Sequence, residues 1–150
     1  MTNDQRQDIR LAGAHTILVV DDVGVVRKAA FHLLSEAGYR VFEAGSAAEA
    51  LEVLATSRQP IDLAIVDVVM PDVSGVDLVR LIREEWPAVR VLFMSAHPAE
   101  ILVREGLDHP GVFFLAKPFT RSELMAKVES VLRSKRAQNG RASRITRPSD

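Results

Sequence analysis

Five polar residues with complementary chemistry lie at the ends of four apolar runs in this sequence. Asp21 and Asp22 end the first run, and Asp67 ends the second. Ser95 ends the third run and Lys117 the fourth. If the runs are neighbouring parallel strands, these residues share one edge of a sheet, where open α/β sheets bind ligands. Carboxylates bind hard divalent cations such as Mg²⁺, and a carboxylate can attack phosphorus, so the group predicts a site for metal-assisted phosphoryl transfer.

Each of these residues has a simpler explanation when it is considered alone. An acidic pair suits the positive end of a helix dipole, Lys117 could be a solvated lysine, and Ser95 could cap a helix. Three anions in one place, however, require a countercharge. Lys117 could pair with Asp67 at rest and with a phosphoryl oxygen afterwards, and Ser95 offers a hydroxyl to another oxygen. Pro118 permits, but does not require, a cis peptide bond after Lys117.

Strand and helix patterns alternate five times to position this group. The four runs are continuously apolar, as strands buried on both faces are; they span residues 17–20, 61–66, 91–94 and 112–116. A further short strand at 40–44 carries charge and suits an edge. The alternation predicts an α/β fold with helices on both faces of a parallel sheet. We expect a flavodoxin-like, doubly wound (βα)5 three-layer sandwich with strand order 2-1-3-4-5, an order taken from knowledge of that fold.

The predicted helices carry apolar residues at helical spacing. Two of them have capping-box sequences at their start, in which a Ser or Thr is followed three residues later by Glu. These are Ser46 with Glu49, and Thr120 with Glu123.

Length and composition predict one compact domain in the cytoplasm. The 150 residues suit a single core, no cysteine is present, and no apolar run approaches the ~20 residues that span a bilayer. We expect a flexible leader at 1–14, a folded domain at 15–134, and a basic, disordered tail at 135–150. Residues 133–150 carry six basic side chains and one acid, so the remainder has a net charge of −6. An acidic body is not expected to bind nucleic acid, although the tail could contact RNA, DNA or an acidic partner.

Four sequence segments resemble bacterial response-regulator receiver domains, the CheY-like family of two-component systems, over about residues 15–134. The segments are Val19-Val20-Asp21-Asp22, Asp67-Val68-Val69-Met70-Pro71 with Gly75, Met94-Ser95-Ala96 and Lys117-Pro118-Phe119. No single segment is decisive, but all four occur in order and each lies at the end of an apolar run.

The resemblance implies a role for each site residue. Asp67 would be the phosphoacceptor, phosphorylated by a sensor histidine kinase or a histidine phosphotransfer protein. Mg²⁺, or Mn²⁺, would bind Asp22, Asp67 and the backbone carbonyl of Val69 directly, and Asp21 mainly through water. Ser95 and Lys117 would hold the phosphoryl group.

The resemblance also implies a switch and suggests two departures from the usual pattern. Movement of Ser95 would let Phe114 rotate inward and change the face built from helix four, strand five and helix five. That face could bind an unknown downstream protein or form a homodimer, although Phe114 could also be simple core packing. Val69 and His97 occupy positions that affect hydrolytic water in the family, so they could tune dephosphorylation; His97 could equally be a solvated side chain.

We therefore expect a phosphorylated signalling switch in a two-component system or phosphorelay, and not an enzyme. Residues 135–150 are too few for a DNA-binding output domain. One alternative is a Mg²⁺-dependent aspartyl-phosphate phosphatase or phosphotransferase, which would typically show Asp-x-Asp at the nucleophile, whereas Val68 and Val69 follow Asp67. A nucleotide-binding module would need a glycine-rich loop that the first turn lacks. A pseudo-receiver scaffold would not need the complete site.

Overall fold

The computed structural model describes residues 15–106 and 112–134, which form five strands and five helices in strict alternation. The predicted leader and tail lie outside the described residues. The elements are β1 (Thr16–Val20), α1 (Gly24–Glu36), β2 (Arg40–Ala44), α2 (Ala47–Thr56), β3 (Leu63–Asp67), α3 (Gly75–Glu85), β4 (Arg90–Ser95), α4 (Pro98–Arg104), β5 (Phe114–Ala116) and α5 (Arg121–Arg133).

The five strands form one parallel sheet in the order β2-β1-β3-β4-β5, which confirms the predicted fold. Val20 pairs with both Ala44 and Val66, and Ser95 pairs with Ala116. This register brings the carboxyl ends of the strands level with one another. The charged strand β2 lies at an edge and is only partly buried, as predicted.

Two apolar cores cover the two faces of the sheet, because successive residues of a strand point to opposite sides. Helices α1 and α5 cover one face, and α2, α3 and α4 cover the other. The first core includes Ile17, Val19, Ala30, Leu34, Ile65, Leu92, Leu124 and Val128. The second includes Leu18, Val20, Ala50, Leu54, Val66, Val79, Ile82 and Phe93. Both faces of the sheet are therefore covered, and its polar carboxyl edge is left for chemistry. Among the described residues, every helix is too short or too polar to cross a bilayer.

One predicted capping box is complete and the other is shifted. At α5, Thr120 and Glu123 exchange side-chain bonds with each other's backbone N–H, as predicted. At α2, Ser46 Oγ accepts from Glu49 N, but the Glu49 carboxylate accepts from the N–H of Gly45, at 2.7 Å. The carboxylate thus reaches one residue further back and ties the start of α2 to the end of β2.

The start of α3 lies directly against the end of β3, and Gly75 makes this approach possible. The Gly75 N–H donates to Val68 O at 2.8 Å. A Cβ at Gly75 would clash with the carbonyl oxygen of Asp67 and lie 2.8 Å from Val68 Cα. Both obstacles are backbone atoms, so a side chain here would displace the segment that carries Asp67.

We expect Gly75→Ala to lower the free energy of unfolding by at least about 2 kcal/mol, because overpacking against backbone cannot be relieved by a rotamer change. Urea unfolding measures this. Gly24→Ala is the matched control, since Gly24 also begins a helix and its added Cβ would meet only the Arg27 side chain, at 3.8 Å. Helix propensity alone would make both substitutions slightly stabilising. Equal stability of the two variants would therefore contradict the close-packing explanation.

Candidate functional site

Four strand ends bring the sequence-predicted polar residues to one edge of the sheet. Asp21 follows β1, Asp67 ends β3, Ser95 ends β4 and Lys117 follows β5. β1 ends at Val20 and β5 at Ala116, as the apolar runs predicted, but β5 begins only at Phe114, two residues after its run begins. The three carboxylates and Lys117 come together at this edge, and Ser95 lies beside Lys117, whose N–H donates to Ser95 O at 2.9 Å.

The three carboxylates form a compact cluster. Asp21, Asp22 and Asp67 each place an oxygen within 4.8 Å of the others. Asp21 is completely buried and Asp67 is 5% exposed, whereas Asp22 faces solvent. The two buried anions therefore share a poorly hydrated region, and the exposed one lies at its entrance.

Lys117 supplies a cation to both buried carboxylates, but unequally. Its Nζ donates to Asp21 Oδ2 at 2.9 Å and lies 3.5 Å from Asp67 Oδ1. The resting partner suggested from sequence was Asp67, whereas the hydrogen bond goes to Asp21. Asp21 is the more deeply buried anion, so it gains more from a countercharge. The Lys117–Pro118 peptide bond is cis.

Asp67 is the carboxylate that this arrangement leaves under-compensated. Its pKa is raised from 3.8 to about 6, first by burial and then by the charges of Asp21 and Asp22, while Lys117 partly opposes the rise. Ionisation of Asp67 therefore costs more free energy in the metal-free protein than ionisation of an ordinary, solvated Asp. A bound cation or a bound proton would relieve the repulsion.

The donor set fits a hard divalent cation. Asp21 uses Oδ1 to accept from the Val23 N–H at 2.9 Å and Oδ2 to accept from Lys117. The carboxylates of Asp22 and Asp67 are then the candidates for direct ligands. Two carboxylates with water match the coordination of Mg²⁺ in proteins, so the residues present are chemically suitable for the metal expected from sequence.

Ser95 is oriented by the turn that follows β4. Its Oγ accepts from the N–H of His97 at 3.0 Å, and the residue is 2% exposed. Because accepting a bond uses only a lone pair, the hydroxyl can still donate its own proton. The His97 residue itself is exposed, as is Val69, whose side chain is 59% exposed in the loop after Asp67. Both therefore lie where solvent can reach the edge of the sheet.

Phe114 begins β5 and is half-buried. Its ring stacks on that of Phe93, with ring centroids 5.4 Å apart and an interplanar angle of 29°. Phe93 is fully buried on β4, two residues before Ser95. Phe114 thus connects the partly exposed β5 to the strand that carries Ser95.

Sequence reasoning did not single out Arg27, which contacts the site from α1. Its guanidinium donates to the backbone carbonyl of Asp21 at 2.8 Å and to Glu43 at 3.0 Å. The available signals were an arginine in the first turns after the acidic pair and an acid within β2. Neither signal predicts a contact without the register of the two strands.

Comparison with known proteins identifies the class of this chain. A family model described as the response regulator receiver domain matches residues 17–129. The chain therefore belongs to the response regulator receiver domain family of two-component systems. Members of this family are phosphoacceptor signalling switches that bind Mg²⁺ at an acidic site and interact with histidine kinases or phosphotransfer proteins.

Relatives place the same domain in proteins of several kinds. "Sensor kinase CckA" of Brucella abortus is 34% identical over 122 residues, which cover 81% of this chain and 13% of that protein. "Response regulator MprA" of Mycobacterium bovis is 34% identical over 134 residues, which cover 89% of this chain and 57% of that protein. "DNA-binding transcriptional regulator NtrC" of Azospirillum brasilense is 36% identical over 121 residues, which cover 81% of this chain and 25% of that protein. The chain thus spans between 13% and 57% of the lengths of these three relatives.

Solved structures agree with the family assignment. Chemotaxis protein CheY4 of Vibrio cholerae superposes with a TM-score of 0.70 at 28% identity, covering 78% of this chain and 98% of that one. The receiver domain of the hybrid histidine kinase CckA superposes with a TM-score of 0.66 at 34% identity, covering 79% of this chain and 99% of that one.

The raised pKa of Asp67 predicts a stability change that depends on pH. A folded-state pKa near 6 means that the folded protein holds a proton that the unfolded chain releases between about pH 4 and 6, so stability falls over that window as pH rises. We expect Asp67→Asn to raise the free energy of unfolding of the metal-free protein by about 2–3 kcal/mol at pH 7.5. The gain should nearly vanish at pH 4.

Urea unfolding in a metal chelator at the two pH values measures this effect. Asp72→Asn, which neutralises an exposed carboxylate in the loop after β3, should change stability by less than about 0.5 kcal/mol at either pH. If Asp67→Asn is no more stable than wild type at pH 7.5, the charge of Asp67 does not destabilise the metal-free protein, and the explanation from burial and charge repulsion is contradicted.

Proposed function

We propose that Asp67 is the phosphoacceptor of this receiver domain. The supporting observation is its position: a buried carboxylate that ends β3, with two acidic neighbours and the ammonium of Lys117 3.5 Å away. Asp67 has the countercharge of Lys117 beside it and two neighbouring carboxylates with which it could hold a metal. A phosphoryl group attached to Asp67 needs both, because it adds negative charge to a site that already repels it.

The phosphoryl donor is a phosphohistidine of a sensor histidine kinase or of a histidine phosphotransfer protein. A carboxylate oxygen of Asp67 attacks phosphorus, the P–N bond to the imidazole breaks, and the imidazole leaves with the bonding electron pair and takes up a proton. An aspartyl phosphate and a neutral histidine result. Donors of this kind act in the cytoplasm, where we place the protein.

The metal-binding role goes to the acidic cluster. Asp22, Asp67 and the backbone carbonyl of Val69 are the proposed ligands for Mg²⁺ or Mn²⁺, and Asp21 acts mainly through water. When bound, the metal supplies countercharge to the carboxylates and to the transferred oxygens. Asp21 holds Lys117 in place through their 2.9 Å bond, so it orients the second cation of the site.

Lys117 and Ser95 hold the transferred phosphoryl group. Lys117 Nζ already lies near both buried carboxylates, and a charge-assisted bond to a phosphoryl oxygen is stronger than a neutral one. The Ser95 hydroxyl, whose lone pair accepts from His97 N–H, donates its proton to another phosphoryl oxygen. The exposed side chains of Val69 and His97 border the route by which hydrolytic water would reach phosphorus, and we propose that they tune dephosphorylation.

Phosphorylation is read out through Ser95 and Phe114. A phosphoryl group that draws Ser95 inward shifts the end of β4, and Phe114, stacked on Phe93, then rotates toward the space that opens. The surface formed by α4, β5 and α5 changes as a result, which is a two-state population shift. A downstream protein binds this surface, or a second copy of the chain does so to form a homodimer. The expectation of no DNA-binding output stays a prediction, since two of the relatives described above are regulators of longer chain length.

Incubation with acetyl phosphate and Mg²⁺ should add one phosphoryl group to the wild-type protein and none to Asp67→Asn. Intact-protein mass spectrometry, which detects an increase of about 80 Da for one phosphoryl group, measures both. Asp72→Asn is the matched control and should be phosphorylated like wild type. A phosphorylated Asp67→Asn variant would place the acceptor elsewhere.

Removal of the exposed Asp22 carboxylate should weaken Mg²⁺ binding while the proposed acceptor, Asp67, is left in place. We expect Asp22→Ala to raise the dissociation constant for Mg²⁺ by about tenfold or more, because a direct carboxylate ligand is lost. NMR titration of backbone amides near Asp67 measures the affinity without any phosphoryl transfer. Asp72→Ala removes an acid of the neighbouring loop and should leave the titration unchanged. The same affinity in Asp22→Ala and wild type would refute the ligand assignment.

A further inference from the structure

Asp21 is bound through every hydrogen-bonding group that it has. Its N–H donates to Ala44 O at 3.1 Å, and its carbonyl oxygen accepts from Arg27 Nη1 at 2.8 Å. Its two carboxylate oxygens accept from Val23 N–H and Lys117 Nζ, both at 2.9 Å. The residue is completely buried, so the loss of any of these bonds would leave a polar group without water to replace it.

Arg27 is the side chain that links this network to the edge of the sheet. While Nη1 binds the Asp21 carbonyl, Nε donates to Glu43 Oε1 of β2 at 3.0 Å. The two side chains are only 21% and 19% exposed. The guanidinium also lies against Gly45, where an added Cβ would be 3.1 Å from Nη1. One planar group on α1 therefore fixes the end of β1 relative to β2.

Glu43 is a firm anchor for the guanidinium. Burial alone would raise its pKa, but hydrogen bonds from Lys28 and Arg27 outweigh burial and hold the pKa below its usual value. Glu43 is therefore ionised at neutral pH. Lys28 Nζ reaches the other carboxylate oxygen at 2.9 Å, from a side chain that is 59% exposed.

We propose that Arg27, anchored by Glu43, is a positioning residue for the metal site: it holds the backbone at Asp21 so that the carboxylates of Asp21 and Asp22 face Asp67. The inference rests on the proposed function of the acidic cluster in binding Mg²⁺. Arg27 acts through the Asp21 backbone and not by contact with the metal or the phosphoryl group. A bond to the backbone carbonyl is suited to this task, because it restrains the chain direction from which both acidic side chains leave.

Charge alone would give Arg27 the opposite effect on metal binding. A guanidinium near a cation site repels the cation, so its removal would tighten Mg²⁺ binding if charge were its only contribution. Loss of positioning would weaken binding, because the ligands would no longer be held in the required geometry. The sign of the change therefore separates the two explanations.

The test compares Arg27→Met with Lys28→Met. Both variants remove a positive charge and an ion pair with the same carboxylate, but only the first removes a bond to Asp21. We expect Arg27→Met to raise the Mg²⁺ dissociation constant by about tenfold in an NMR titration of backbone amides. Lys28→Met should match wild type or bind slightly more tightly. Equal or tighter binding in Arg27→Met would overturn the proposal.

A second measurement tests positioning in the metal-free protein. Amide hydrogen exchange at Asp21 and Val23, whose N–H groups bond to Ala44 and to the Asp21 carboxylate, should be faster in Arg27→Met and unchanged in Lys28→Met. Glu43→Ala leaves Arg27 in place without its anchor, and should weaken Mg²⁺ binding in the same direction by a smaller factor. If Arg27→Met does not fold, Arg27→Lys decides the matter, because it keeps the charge but loses the planar group that binds Asp21 and Glu43 at once; wild-type affinity in that variant would overturn the proposal.

These readouts are independent of phosphorylation. If the wild-type protein binds Mg²⁺ but is not phosphorylated at Asp67, the proposed acceptor fails while the role of Arg27 is still judged by the titration. If Asp67 is the acceptor and Arg27 positions the metal site, the Mg²⁺ concentration for half-maximal phosphorylation should rise in Arg27→Met by the same factor as the Mg²⁺ dissociation constant. If that Mg²⁺ concentration rises in Arg27→Met while the Mg²⁺ dissociation constant stays the same, the positioning role is contradicted.

Discussion

Two buried carboxylates share one ammonium at the carboxyl edge of the sheet, and the properties of the site follow from how they share it. Asp21 has the shorter bond to Lys117, at 2.9 Å, and a backbone N–H as well. Asp67 has the longer contact, at 3.5 Å, and its pKa is raised to about 6 by burial and by the neighbouring charges. The residue proposed to react is thus the one whose negative charge is least compensated. A bound cation would relieve this imbalance and favour the ionised form that acts as a nucleophile.

The parallel sheet is what forces these charges together. Residues far apart in sequence become neighbours because β1 lies between β2 and β3, and β4 lies beside β5. The two apolar cores bury β1 and β3 along their whole length, so the buried carboxylates of Asp21 and Asp67 cannot turn away into solvent without unpacking the sheet. Gly75 adds to this constraint, since α3 packs on the backbone at Asp67 with no room for a side chain between them. Stability of the sheet therefore offsets the repulsion at its edge.

The sequence was sufficient for the alternation of strands and helices and for the polar residues at the strand ends, because both depend on patterns along the chain. The strand order was taken from knowledge of the fold. The charge in β2 predicted an edge strand, but the apolar run of β5 did not show that β5 lies at the other edge, where only Leu115 is buried. The sequence could not show which carboxylate Lys117 prefers, because that depends on a difference in burial between Asp21 and Asp67. It also missed the shift of the Glu49 bond to Gly45 and the reach of Arg27, since both depend on where long side chains lie once the strands are in register.

Asp21 links the fold to the proposed switch, because elements from opposite sides of the sheet meet at this one residue. Arg27 and Ala44 hold its backbone from α1 and β2, while Lys117 holds its carboxylate from the loop after β5. Under the proposed function, a phosphoryl group on Asp67 competes with Asp21 for the ammonium of Lys117. The carboxylate of Asp21 would then share Lys117 with the phosphoryl group, but its backbone would keep both bonds to α1 and β2. The acidic side of the site would thus stay fixed while the β5 side rearranges, which directs the structural response toward β4, β5 and the α4 surface rather than toward α1.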